Sequence, residues 1–260
     1  MIAWIESQDI AAVVLLVGAL CYALAAAIFA AAVLVARRRI AADLKATSPV
    51  MLTPLSVFAA LVITFLAARV WSNVDHANSY VTQEANAIRE AIFPADALPG
   101  SLRDAVRGGF GEYLRYVEAE EWPAMTAGHA TLRTSPPGIE NMLTALLSFV
   151  PGKPTEQFAQ ESAVVAVKHA LEARQNRIML SGVVISPVQW AVILTLDVLV
   201  LLTIAMVHID RRVTAAVNLF TFSSAMAACL VLLMANDRPF AAGGITLEPA
   251  ALREIGAALP

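Results

Sequence analysis

An unbroken apolar run from Ala11 to Ala36 ends directly in Arg37, Arg38 and Arg39. An α-helix rises ~1.5 Å per residue and ~20 apolar residues cross a hydrocarbon core, so the run spans a bilayer with length to spare. A secretory signal peptide carries its charge before the apolar stretch and a small-residue cleavage site after it. Here acidic Glu6 and Asp9 precede the run and arginines follow it, so it reads as a membrane span rather than a leader. The rest of the chain agrees: 58% of residues are hydrophobic and only 15% are charged, beyond what a soluble domain normally carries. The net charge of −3 is too small to point to nucleic acid or a polybasic lipid contact. Cys21 and Cys229 both fall inside apolar segments, where they read as small buried hydrophobes.

Three further segments pass the same length test: Met51 to Ala68, with Pro54 in its first turn; Val183 to Val207, opened by Ser186-Pro187; and Val213 to Leu233. The expected organisation is a first transmembrane hairpin over residues 1–72, a soluble helical insert over 73–182, a second hairpin over 183–235 and a C-terminal tail over 236–260. No segment alternates with strand period, and lipid tolerates only helices or closed barrels. The expected fold is therefore all-α: a polytopic membrane protein with four transmembrane helices and the insert between helices two and three.

The insert reads as helices punctuated by prolines. The second span continues past Trp71 through Ala77, Val81, Ala85, Ile88 and Ile92 until Pro94 and Pro99. Ser101 reads as the N-cap of a helix whose apolar stripe is Phe110, Tyr113, Leu114 and Val117, running into Glu118-Ala119-Glu120-Glu121-Trp122-Pro123. Met142, Leu143, Leu146, Leu147 and Val150 suggest a short amphipathic helix. Thr155 then caps a long helix through Phe158, Val164, Val167 and Leu171 that runs unbroken into the third span. Both short loops are basic, with Arg37, Arg38, Arg39 and Lys45 in one and Arg211 and Arg212 in the other. The positive-inside rule puts them in the cytoplasm, and the insert and both termini outside it.

Asp197, near the centre of the third span, is the sharpest candidate site, because an ionised carboxylate there costs roughly 2.5–3.5 kcal/mol. Ser186 and His208 fall within about 20° of it on the helix, with Gln189 toward the edge of the same face. Antiparallel depth-matching brings Ser223 and Ser224 opposite it from the fourth span, and Tyr22 to similar depth from the first. Two readings stay open: a hydrogen-bonding group that joins helices, or a pore or proton-relay carboxylate. At the end of the last span, Asn236, Asp237, Arg238, Pro239 and Phe240 form an interface block with two readings: a terminating cap in which Pro239 blocks further helix, or an ionic pairing of Asp237 and Arg238, with Arg69 emerging on the same side. Glu118, Glu120 and Glu121 read as a solvated acidic face rather than a metal site, and His76, His129, His169 and His208 lack metal spacing, so neither metal nor cofactor is expected.

Five of these features, taken in order, resemble the bestrophin-like family of bacterial membrane proteins. They are the paired hairpins around an insert, Glu120-Glu121-Trp122-Pro123, the basic stretch Arg174 to Arg177 before the third span, Asn236 to Phe240 after the fourth, and the ending Ile245-Thr246-Leu247-Glu248-Pro249. The family is distantly similar to bestrophins, pentameric chloride channels with four spans per subunit. The resemblance implies a homo-oligomer in the lipid bilayer whose anion pore is lined largely by the second span. No bestrophin calcium clasp can be matched residue by residue. The other reading is a non-catalytic scaffold or sensor whose insert binds a partner. Enzyme chemistry is not expected, since the chain has no Gly-rich phosphate loop, Gly-x-Ser-x-Gly elbow or His-Glu-x-x-His.

Overall fold

The computed structural model describes residues 10–36, 41–241 and 247–259, with side chains in the second helix from residue 49 onward. Glu6, Asp9, Arg37 to Arg39, the Lys45 side chain, Ile245 and Thr246 lie outside the described residues. Among the described residues every regular element is helical: α1 (Ile10–Val35), α2 (Ala41–Ala95), α3 (Gly100–Tyr116), a π-helical turn (Val117–Glu121), α4 (Trp122–Thr126), α5 (Ile139–Ser148), α6 (Pro154–Ser181), α7 (Pro187–Val207), α8 (Arg212–Asn236) and α9 (Ala250–Gly256). Four helices are long and apolar enough to cross a membrane: α1, α2 from Pro49 onward, α7 and α8.

The 55-residue α2 continues without a break from the second span into the insert, as the stripe through Ala77, Val81, Ala85 and Ile88 predicts. The third span does not mirror it. The helix before it ends at Ser181, and α7 begins only at Pro187. A residue preceding proline is pushed out of the helical region, and Ser186 is extended at ψ 152°. Ser186 closes the start of α7 as a capping box: its Oγ accepts from Gln189 N at 3.3 Å, and Gln189 Oε1 accepts from Ser186 N at 2.9 Å. Two other expected caps are corrected. α3 starts at Gly100 with Pro99 in the cap position, so Ser101 is already helical. α6 starts at Pro154, and Glu156 satisfies the preceding turn by accepting from Gly152 N at 2.9 Å, in place of a Thr155 cap.

The chain forms two compact units. One holds α1, α2 up to Ser72, and Val184–Arg238. Within it α1 packs along α8 and α7, and two apolar clusters form: Val17, Leu66, Trp190, Ile193, Met226 and Leu230 belong to one, and Ala25, Ile28, Ala59, Val200, Leu201 and Leu219 to the other. The other unit holds Asn73–Val183, Pro239–Ala241 and the described C-terminal residues. Its core gathers Ala77, Val81 and Ile88 of α2, Val106, Phe110 and Tyr113 of α3, Met142 and Leu146 of α5, Ala163 and Val167 of α6, and Leu252 and Ile255 of α9. Three residues placed on apolar stripes by the sequence face outward instead: Leu147, Val150 and Phe158 are exposed.

Candidate functional site

In the insert unit, four ionisable side chains that water would normally solvate are buried together. Glu84 follows Val81 on the inward stripe of α2, Glu121 ends the π-helical turn, and Arg174 and Arg177 lie on α6. All four are at most 5% exposed. Arg177 grips Glu84 with both prongs, Nε to Oε2 at 2.7 Å and Nη2 to Oε1 at 3.0 Å, and its Nη2 also reaches Glu121 Oε1 at 2.8 Å. Arg174 Nε donates to the other Glu121 oxygen at 2.7 Å, with its Nη2 on the same atom. The Tyr113 hydroxyl donates to Glu84. Two acids face two bases, so the cluster is neutral overall.

Burial works against the Arg177 charge, but the adjacent Glu84 carboxylate and its hydrogen bonds outweigh it, holding the guanidinium above its ordinary range. Burial and then the Glu84 charge push the Tyr113 hydroxyl well above the ordinary tyrosine range, so it stays a neutral donor. Aromatic side chains complete the shell. The Arg177 guanidinium lies 5.4 Å from the Trp122 ring centre, and Trp122 meets the edge of Phe240 at 5.5 Å.

The π-helical turn has a local cause. Pro123 has no N–H to give and its ring crowds the carbonyl four residues back. Widening the turn accommodates it, and Trp122 N–H donates to Val117 O, five residues back. Glu121 is therefore not part of a solvated acidic face: it is 4% exposed, whereas Glu118 and Glu120 are exposed and Glu118 pairs with Arg253 at 2.7 Å. With every oxygen and guanidinium engaged inside the protein, the cluster fixes the packing of α2, α6 and the π-helical turn and offers no open ligand position.

The membrane-spanning unit places the other candidates. Asp197 is 2% and Ser223 1% exposed, and neither Asp197 Oδ1 nor Ser223 Oγ has a hydrogen-bond partner. On their helices both fall between the two apolar clusters: Asp197 between Ile193 and Val200, Ser223 between Leu219 and Met226. Cys21, between Val17 and Ala25 on α1, is buried as part of the first of these clusters. Asp197, Ser223 and Cys21 each fall where the two clusters adjoin along their helices, and Cys21 is buried, as the sequence reading expects of it. Tyr22 and Ser224 form a separate pair, Oη to Oγ at 3.0 Å, with Tyr22 stacked on Phe220 at 4.9 Å. Ser186 and Gln189 instead cap α7, and His208 caps its other end, with Nε2 3.1 Å from Asn218 Nδ2.

The interface block is dispersed. Asn236 Nδ2 donates back to Leu232 O at 2.9 Å. Asp237 Oδ1 accepts from Ile185 N at 2.8 Å, bracing the non-helical approach to α7. Pro239 O accepts from Leu247 N at 2.9 Å, Phe240 is buried against Trp122, and Arg238 is half-buried. Arg69 Nη1 meets Gln189 Oε1 at 3.5 Å. Among the described residues, no three His, Cys, Asp or Glu side chains come together as a metal would require.

Four bilayer-length helices with a helical insert between the second and third define a multi-pass helical membrane protein. The bestrophin-like domain matches residues 19–252, nearly the whole chain, and the chain belongs to the bestrophin-like family. No curated protein and no solved structure matches it. Glu121-Trp122, Arg174, Arg177 and Phe240, drawn from three of the sequence blocks that carry the resemblance, meet in the one buried cluster around Arg177.

Proposed function

We propose that the protein is a subunit of a self-assembled anion channel in a bacterial inner membrane, with the outer face of α2 lining the conducting path. The observation that carries this reading is the character of that face. Thr53, Val57, Ala60, Thr64 and Ala68 fall within an arc of about 80° on the helix and are all exposed, so small and hydroxyl-bearing side chains predominate along its middle, with the exposed Val50 and Trp71 at its two ends. Between Pro49 and Val74 the only ionisable side chain is Arg69, which is exposed but off that face, so no carboxylate opposes an anion until Asp75, which is exposed and continues the face. Asp197, buried within a single subunit, stands off the path and serves helix packing. The basic loops at Arg37 to Arg39 and at Arg211 and Arg212 support a cytoplasmic position for both, with the insert in the periplasm.

The test is a thiol placed on the proposed lining. In a Cys21→Ala, Cys229→Ala background, Thr64→Cys is reconstituted in liposomes and treated with a membrane-impermeant anionic thiol reagent. Chloride efflux is expected to fall about tenfold, because the reagent puts bulk and negative charge in the path. The same treatment of Leu66→Cys, which is buried, should do nothing. Asp197→Asn should leave efflux within about twofold of wild type, the outcome of a packing role; a larger change would return the carboxylate to the pathway.

A further inference from the structure

The insert unit leaves two groups of large apolar side chains uncovered. Phe93 of α2 and Phe158 and Val165 of α6 are 84%, 70% and 51% exposed. With Pro94 they line a groove of about 680 Å³ that also carries Glu90 and Glu161. The second group is Leu147, near the end of α5, and Val150 just beyond it, 68% and 85% exposed. The Lys153 side chain follows, 75% exposed.

The two groups lie on opposite sides of α6. At ~100° per residue Phe158, Glu161 and Val165 share one face of the helix. Gln160 points the other way and ties down the end of α5, its Nε2 donating to Phe149 O at 3.0 Å. A groove and a protrusion on opposite sides of one protomer suit a head-to-tail contact, whereas a twofold contact would need one self-complementary patch. Uncovered apolar patches of this kind mark interaction surfaces. The charges also suit the contact: Lys153 beside the protrusion meets its own Glu156 at 3.6 Å but stays 75% exposed, and the groove carries two acids, Glu90 and Glu161, against His169 and one arginine, Arg89, which meets Glu254 at 3.4 Å.

We propose that the groove receives the turn after α5 of a second copy of the chain, with Leu147 and Val150 against Phe93 and Phe158, and Lys153 toward Glu161. This rests on the self-assembly in the channel reading and adds the contact through which it occurs.

Two differently tagged full-length chains lacking Cys21 and Cys229 test it, one carrying Val150→Cys and the other Phe158→Cys. On mild oxidation the mixture should give a disulfide-linked dimer with one chain of each tag, and neither chain alone should link. Phe158→Asp should shift the assembly toward monomer in native mass spectrometry. If the assembly keeps its size with Phe158→Asp and the mixture fails to link, the contact lies elsewhere while self-assembly stands. A wild-type chain that is monomeric by mass overturns both. If the thiol at position 158 is shielded from maleimide in a monomeric sample, another occupant fills the groove, and the proposal fails.

Discussion

Replacing Arg177 by methionine is expected to destabilise the insert unit by about 3–5 kcal/mol, because it strands the Glu84 carboxylate in a low-dielectric core and leaves Glu121 to Arg174 alone. Against a typical stability of roughly 5–15 kcal/mol this is a large fraction, and the melting midpoint should fall by about 10 °C or more. Glu84 is fully buried and takes two of its hydrogen bonds from this one guanidinium, so no solvent can replace them. Arg177→Lys should fall between the two, since an ammonium keeps the charge but cannot make the paired contact. A change in midpoint of only a degree or two for Arg177→Met, followed by circular dichroism in detergent, would show that the cluster carries little of the unit's stability.

Gly138→Val should be comparably damaging for a different reason. Gly138 starts α5 at φ +80°, a conformation that side-chain-bearing residues rarely adopt, and a Cβ there would run into Gly109 O and Glu112 Cβ. Strain and overpacking of this kind cost about 1–3 kcal/mol each, so ~3 kcal/mol or more is expected in total. The clash is with backbone, and relief requires α5 to move off α3. Gly109→Ala probes the same seam from the other side, where a Cβ would sit 2.9 Å from Met142 Cβ. Wild-type thermal stability in both variants would mean that the α3–α5 seam is loose in solution.

The spans were readable because lipid imposes one requirement, length and apolarity, that few other constraints override. Depth-matching put Tyr22, Ser223 and Ser224 at the level of Asp197, but depth alone does not encode that Tyr22 pairs with Ser224. The buried ions were harder. Glu121 sits four residues after Val117 on the stripe Phe110, Tyr113, Leu114 and Val117, and Glu84 three after Val81. Periodicity puts both positions on the inward stripes, but Glu121 reads by its charge as solvated and Glu84 is not singled out. A charged residue on an apolar stripe signals a buried partner, and the partners are Arg174 and Arg177 on the inward face of α6. The break before α7 was partly visible in Ser186-Pro187. Its brace, Asp237 on the Ile185 amide, is a contact across 52 residues that no local pattern encodes. Leu147, Val150 and Phe158 were assigned to the interior because hydrophobicity alone does not separate a core position from an exposed apolar one.

Chloride efflux from liposomes containing the purified wild-type chain tests the channel reading most directly, with Thr64→Asp measured alongside. The expected result is efflux well above that of empty liposomes, reduced about tenfold or more by a carboxylate on the proposed lining. Efflux no greater than that of empty liposomes, from protein shown to be folded and assembled, would contradict it.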